Sequence, residues 1–197
     1  MVGAHMSYRV GVEDVEPHHY VAWAFDAPGT FGSGKTRDEA LGQVKAKLGG
    51  AVEVVEDFKA KIGASGYIIN ALFEDDLRPV TTEEIAEARS LLDETLTGLI
   101  HAFERRHDLQ AADIVNHVAQ AERWYFDRLG LSSPREGLSE DPAERLRAVH
   151  QRTIELLPRL IHESTVTEKS GEKWSARKVL RRTLWHRQDH LQQLEKA

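Results

Sequence analysis

Trp174-Ser175-Ala176-Arg177-Lys178-Val179-Leu180-Arg181-Arg182-Thr183-Leu184-Trp185-His186-Arg187-Gln188-Asp189-His190-Leu191-Gln192-Gln193-Leu194 reads as one helix. Ser175 suits the N-cap, where its hydroxyl can accept a free backbone N–H, and no Gly or Pro interrupts the run after it. Leu180, Leu184, Leu191 and Leu194 recur at steps of three and four and mark a buried stripe. A second line, Val179, Thr183, His186 and His190, runs beside it. His186 and His190 therefore leave the helix on one side, a turn apart, at the margin of the apolar face. That separation matches the bite two imidazole nitrogens need to share a transition-metal ion.

Three more amphipathic helices precede this one. Thr81-Thr82-Glu83-Glu84 forms a capping box, with Val80 and Ile85 placed as a hydrophobic staple. Ile85, Ala88, Leu92, Leu96, Leu99 and Phe103 then run down one face to about His107, with His101 on the opposite, solvated side. The next helix, from about Gln110 to Leu129, buries Ile114, Val118, Ala121, Tyr125 and Leu129, and His117 flanks that stripe. Gly130 ends it, and a polar loop continues through Pro134 and Gly137. Asp141-Pro142-Ala143-Glu144 opens the third helix with a cap and a proline at its first position. Leu146, Val149, Thr153, Leu156 and Leu160 form its face, His150 flanks it, and Pro158 kinks it or ends it early. A loop from about Ser164 to Lys173 leads to the last helix. Four such helices bury their stripes only against one another, so they make a bundle, in whose interior facing helices can pool ligands. His117, His186 and His190 are the histidines that lean inward.

The run His117-Val118-Ala119-Gln120-Ala121-Glu122-Arg123-Trp124-Tyr125, with Trp174-Ser175 and His186 to Leu194, resembles the DinB/YfiT-like superfamily over roughly residues 80–197. The resemblance implies an up-down-down-up bundle that commonly dimerises. It also implies a divalent-metal site, zinc or nickel, held by one histidine of the second helix and the HxxxH pair of the fourth: His117, His186 and His190. Characterised members act as thiol-dependent transferases or isomerases using mycothiol or bacillithiol, or as metal-dependent hydrolases. Three neutral imidazoles leave coordination positions open, as catalytic metal sites do, and they suit zinc, nickel, copper or iron. Asp113, Asp189 and His150 are the candidates for supporting the ligands from behind. Arg187 stands where the HExxH motif of zinc proteases needs a glutamate, and no general base is evident.

The N-terminal third has a different pattern. Met1 to Met6 reads as a cloning scar or unstructured start. Tyr8 to Asp14 alternates as a strand, and a short link with His18 and His19 at its turn leads to a second strand reaching Asp26, hence an antiparallel hairpin. Gly29-Thr30-Phe31-Gly32-Ser33-Gly34-Lys35-Thr36 matches the P-loop pattern GxxxxGK[ST]. The preceding hairpin and the helical remainder are the wrong setting for a nucleotide-binding parallel sheet, so Thr30 to Lys35 is better read as a third strand. A helix from Thr36 or Asp38 to Leu48 comes next. Gly49-Gly50 bends or breaks it, and Val52, Val55, Phe58 and Ile62 continue with helical spacing. Tyr67 to Phe73 is a last strand. Tyr20 to Gly29 together with Gly34-Lys35-Thr36-Arg37-Asp38-Glu39-Ala40-Leu41 resembles the HicB-like antitoxin domain over about residues 7–74. That family implies a small sheet with a helix and a role in masking an RNase toxin.

The sequence thus predicts an α+β chain: a β-β-β-α-β domain with a small antiparallel sheet over residues 7–76, then a four-helix bundle over 77–197. The 197-residue chain carries a formal charge of −6 and has a pI near 5.9, which argues against general nucleic-acid binding. It has no cysteine, which excludes disulfides, thiolate metal sites and a cysteine nucleophile. No apolar run approaches the roughly 18 residues of a membrane span. The expectation is a cytoplasmic, homodimeric, metal-dependent enzyme acting on a small molecule, with a low-molecular-weight thiol favoured. The competing readings are a hydrolase and a non-catalytic, antitoxin-like regulator whose metal only ties the bundle together.

Overall fold

A computed structural model of the chain describes residues 7–16, 19–63, 66, 68–131 and 137–196. It is α+β and divides into two units. The first ends at Leu77 and takes in Glu168–Lys173; the second comprises Arg78–Thr167 and the chain from Trp174 on.

In the first unit, β1 (Tyr8–Glu16), β2 (His19–Ala24) and β3 (Phe31–Gly34) pair antiparallel in sequence. Val10, Val12, Ala22 and Ala24 pack with Ala40, Leu41 and Val44 of α1 (Arg37–Leu48). Thr36 caps α1 by accepting the Glu39 N–H, and Gly49, at φ 62°, closes it by donating to the Lys45 carbonyl. The P-loop pattern has another physical origin here. A Cβ on Gly32 would lie 2.1 Å from the Ala40 carbonyl oxygen, so its glycine lets β3 lie against α1. The Glu39 carboxylate accepts the Lys35 N–H at 2.7 Å, which puts an anion where a phosphate would have to sit. His19 is half-buried in β2 rather than in a solvated turn; Pro17, His18, Tyr67 and Pro134, like the first six residues, lie outside the described residues.

Two expectations fail in this unit. Residues 52–62 do not continue the helix: β4 (Val52–Lys59) lies parallel to β1, giving a mixed sheet in the order β3-β2-β1-β4 rather than an antiparallel one. Val52, Val55, Phe58 and Ile62 fit a helical period, but Val52, Val54 and Phe58 fit a period of two and are the half-buried ones, and β-branched residues just past a left-handed glycine cap favour the strand. The crossover through α1 is what allows a parallel neighbour. The strand expected from Tyr67 to Phe73 shrinks to β6 (Ile68–Ile69), paired antiparallel with β5 (Lys61–Ile62). Beyond it, acidic side chains replace a ladder. Glu172 accepts the Asn70 N–H at 3.2 Å, Glu13 that of Ala71 at 2.8 Å and Asp76 that of Phe73 at 2.9 Å. Backbone donors in a buried segment need acceptors, and carboxylates supply them here.

The second unit contains α2 (Thr82–Arg106), α3 (Leu109–Asp127), α4 (Pro142–Leu156) and α5 (Ala176–Lys196). Thr81 and Glu84 form the expected capping box, and Asp108, Asp141 and Ser175 cap the other three helices. Pro158 falls in a 3-10 turn, Leu157–His162, that ends α4. The loop expected up to Lys173 contains a hairpin, β7 (Thr167–Lys169) and β8 (Glu172–Trp174). Ser170 and Gly171 both have positive φ, 57° and 80°, as a two-residue primed turn requires. The α5 helix packs along α2 and α3, and α3 along α4. Gly98 of α2 permits a close approach, since a Cβ there would stand 2.8 Å from a Leu191 methyl. Among the described residues no helix is long and apolar enough to cross a membrane.

Candidate metal centre

His117 comes from the middle of α3, and His186 and His190 from successive turns of α5. The Nε2 atom of His186 lies 3.1 Å from Nε2 of His117 and 3.1 Å from Nε2 of His190. All three ligand atoms fall within 4.8 Å of one another, so the triad can hold a metal ion. Nitrogens about 2.0–2.1 Å from a shared ion stand about 2.9–3.4 Å apart for octahedral to tetrahedral angles. Both 3.1 Å separations from His186 fall in that range. His186 is buried, His190 half-buried and His117 exposed, which leaves an approach from the His117 side.

Protonation tells the same way. The His190 Nδ1–H donates to the Gln193 amide oxygen at 2.8 Å, which in the neutral ring leaves Nε2 with a bare lone pair. One hydrogen on His186 Nε2 cannot serve both neighbouring nitrogens. If the hydrogen sits on His117 instead, the lone pairs of His186 and His190 face each other. Hydrogen bonds alone leave one close approach unsatisfied, whereas a shared cation takes all three lone pairs. Burial drives the His186 pKa well below the ordinary histidine value, and His190, His117, Arg182 and Arg187 add to it. Burial, then His190, lowers that of His117. Both rings are thus held neutral, as ligands must be.

An aromatic wall supports His186: the Tyr125 ring lies 5.7 Å from it and the Trp185 ring 5.9 Å, both edge-on. Of the residues expected behind the ligands, Asp113 is exposed and Asp189 half-buried, and neither bonds a triad ring. The supporting acceptor is Gln193, three residues past His190, a helix neighbour legible from spacing.

His150 belongs to a separate buried network. Its Nδ1 accepts from Arg187 Nη1 at 3.2 Å, so its Nε2–H donates to Asp93 at 2.9 Å. Burial first, and then Arg187, lower its pKa, in keeping with a neutral ring. Arg187 also grips Glu122 through two bonds, 2.6 and 2.9 Å, and donates to the Leu92 carbonyl at 2.9 Å. Arg187 and Glu122 are 1% and 2% exposed. Sequence reasoning passed over this pair, although both charges interrupt buried stripes: Glu122 between Val118 and Tyr125, Arg187 between Leu184 and Leu191.

Comparison with protein-family models, with curated proteins and with solved structures finds no match for the chain.

Proposed function

We propose that the protein is a divalent-metal-dependent enzyme, zinc or nickel being its ion, that transfers a group to or from a low-molecular-weight thiol. The observation carrying this reading is the convergence of three imidazole nitrogens from α3 and α5 on one point that stays open on the His117 side. An ion held there supplies Lewis acidity and brings a thiol or water into nucleophilic form at neutral pH. The chain does the rest. Burial holds the His186 pKa well below the ordinary value, partial desolvation and His190 lower that of His117, Gln193 fixes the tautomer of His190, and the Tyr125 and Trp185 rings hold the His186 plane in place.

Among the described residues no carboxylate joins the triad, so no general base stands ready to take a proton from water. A thiol, already acidic enough to ionise beside a cation, needs that help far less. This favours transfer over hydrolysis, and the resemblance to the DinB/YfiT-like superfamily supports the same choice. The test monitors loss of free thiol when zinc- or nickel-loaded protein meets small thiols and an alkylating electrophile. Wild type should accelerate the reaction, and His186→Ala and metal-stripped protein should not. Equal rates in all three, or ester hydrolysis without thiol consumption, would overturn the transferase reading.

A further inference from the structure

The Glu122–Arg187 pair lies next to the triad in sequence but makes its own set of hydrogen bonds, none of them to a triad ring. Arg187 directly succeeds His186, so their side chains leave α5 about 100° apart around the helix axis. His186 meets His117 of α3 at 3.1 Å. Arg187 turns into the bundle and takes Glu122 of the same α3 in a two-pronged grip. One contact between two helices leaves each free to roll about its axis, and a leucine stripe can slip along its groove. Two contacts at different azimuths, one of them a planar fork, remove both freedoms. The network continues to Leu92 and, through His150, to Asp93, so α2, α3, α4 and α5 are tied at one level.

We infer that Glu122 and Arg187 are positioning residues for the metal centre, setting the rotation of α5 so that His186 and His190 face His117. This rests on the triad holding a metal ion. Energetic reasoning points the same way. Two charges this deeply buried lose their hydration, and an apolar pair of like volume commonly holds a core at least as well. What the apolar pair lacks is the fixed direction of the fork.

The test separates holding the fold from placing the ligands. Cobalt(II) binding is titrated by its visible d–d absorption in wild type, Glu122→Met/Arg187→Met and Glu122→Gln, with the melting temperature of each metal-free protein measured alongside. The double variant should melt near the wild-type temperature, the loss of the Arg187 donor to His150 Nδ1 offsetting the relief of two buried charges. It should nevertheless bind cobalt about 10–100-fold more weakly, with an altered spectrum, the loss typical of disturbing what stands behind a ligand. Glu122→Gln, which keeps the shape and loses the charge, should show a smaller loss in the same direction and carries the test should the double variant not fold. Unchanged affinity and spectrum in a folded variant would overturn the positioning role while leaving the metal centre standing. Absence of cobalt binding in wild type would overturn both.

Discussion

At the scale of single residues, the chemistry turns on keeping imidazoles neutral. His117, His150 and His186 all have pKa values lowered first by burial. Below the ordinary histidine value of about 6.5, the unfolded chain takes up protons that the folded chain refuses. The stability these rings confer is therefore full above about pH 6.5 and is lost as the pH falls toward their lowered values. The melting temperature of metal-free wild type should drop between about pH 7.5 and about pH 5.5, and less in His186→Asn, which lacks the most strongly shifted ring. Equal drops would contradict the assignment. His150 makes a different prediction. Replacing it with Leu leaves the Arg187 N–H without its nitrogen acceptor in a buried site, and should cost about 1–3 kcal/mol in urea unfolding.

Among the elements, the helical half was readable because caps and stripes agree. Thr81 and Glu84 satisfy each other's backbone N–H groups at 2.8 and 3.2 Å, as Thr-x-x-Glu implies. Thr81→Ala should accordingly cost about 0.5–2 kcal/mol. Glu84 does more than cap: it also takes Arg177 of α5 at 2.8 Å. Its burial raises its pKa, but the bonds from Arg177 and the Thr81 N–H outweigh this and leave it below the usual carboxylate value. Gly98→Val would press on Leu191, and overpacking of this kind costs about 1–3 kcal/mol. The sheet half was less readable for a physical reason. Val52, Val55, Phe58 and Ile62 fit a helical period and Val52, Val54 and Phe58 a period of two, and only the parallel partner β1, dozens of residues upstream, decides between them. Residues 70–73 look like a strand because Ala71, Leu72 and Phe73 extend the apolar run of Ile68 and Ile69. Their amides go instead to Glu172, Glu13 and Asp76, acceptors whose distance along the chain or in rotamer space no local pattern discloses. The triad itself was legible, since each histidine flanks a stripe. Glu122 and Arg187 were passed over because attention to a stripe selects its apolar members, while the charges inside it are the informative ones.

For the whole molecule, the claim is that an ion binds the folded chain and not the unfolded one, since only folding joins His117 to a pair about 70 residues away. An ion present at a hundred times its dissociation constant then adds about 2.7 kcal/mol. That corresponds to a rise in melting temperature of roughly 5–10 °C for a chain of this size, reversed by a chelator. The most direct measurement is the metal content of protein purified without added metal, determined by elemental analysis for wild type and for His117→Ala, His186→Ala and His190→Ala. The account predicts close to one divalent ion per wild-type chain and a large loss in every variant. A wild type free of metal that also fails to take up zinc or nickel on dialysis would contradict it, as would variants that keep their ion.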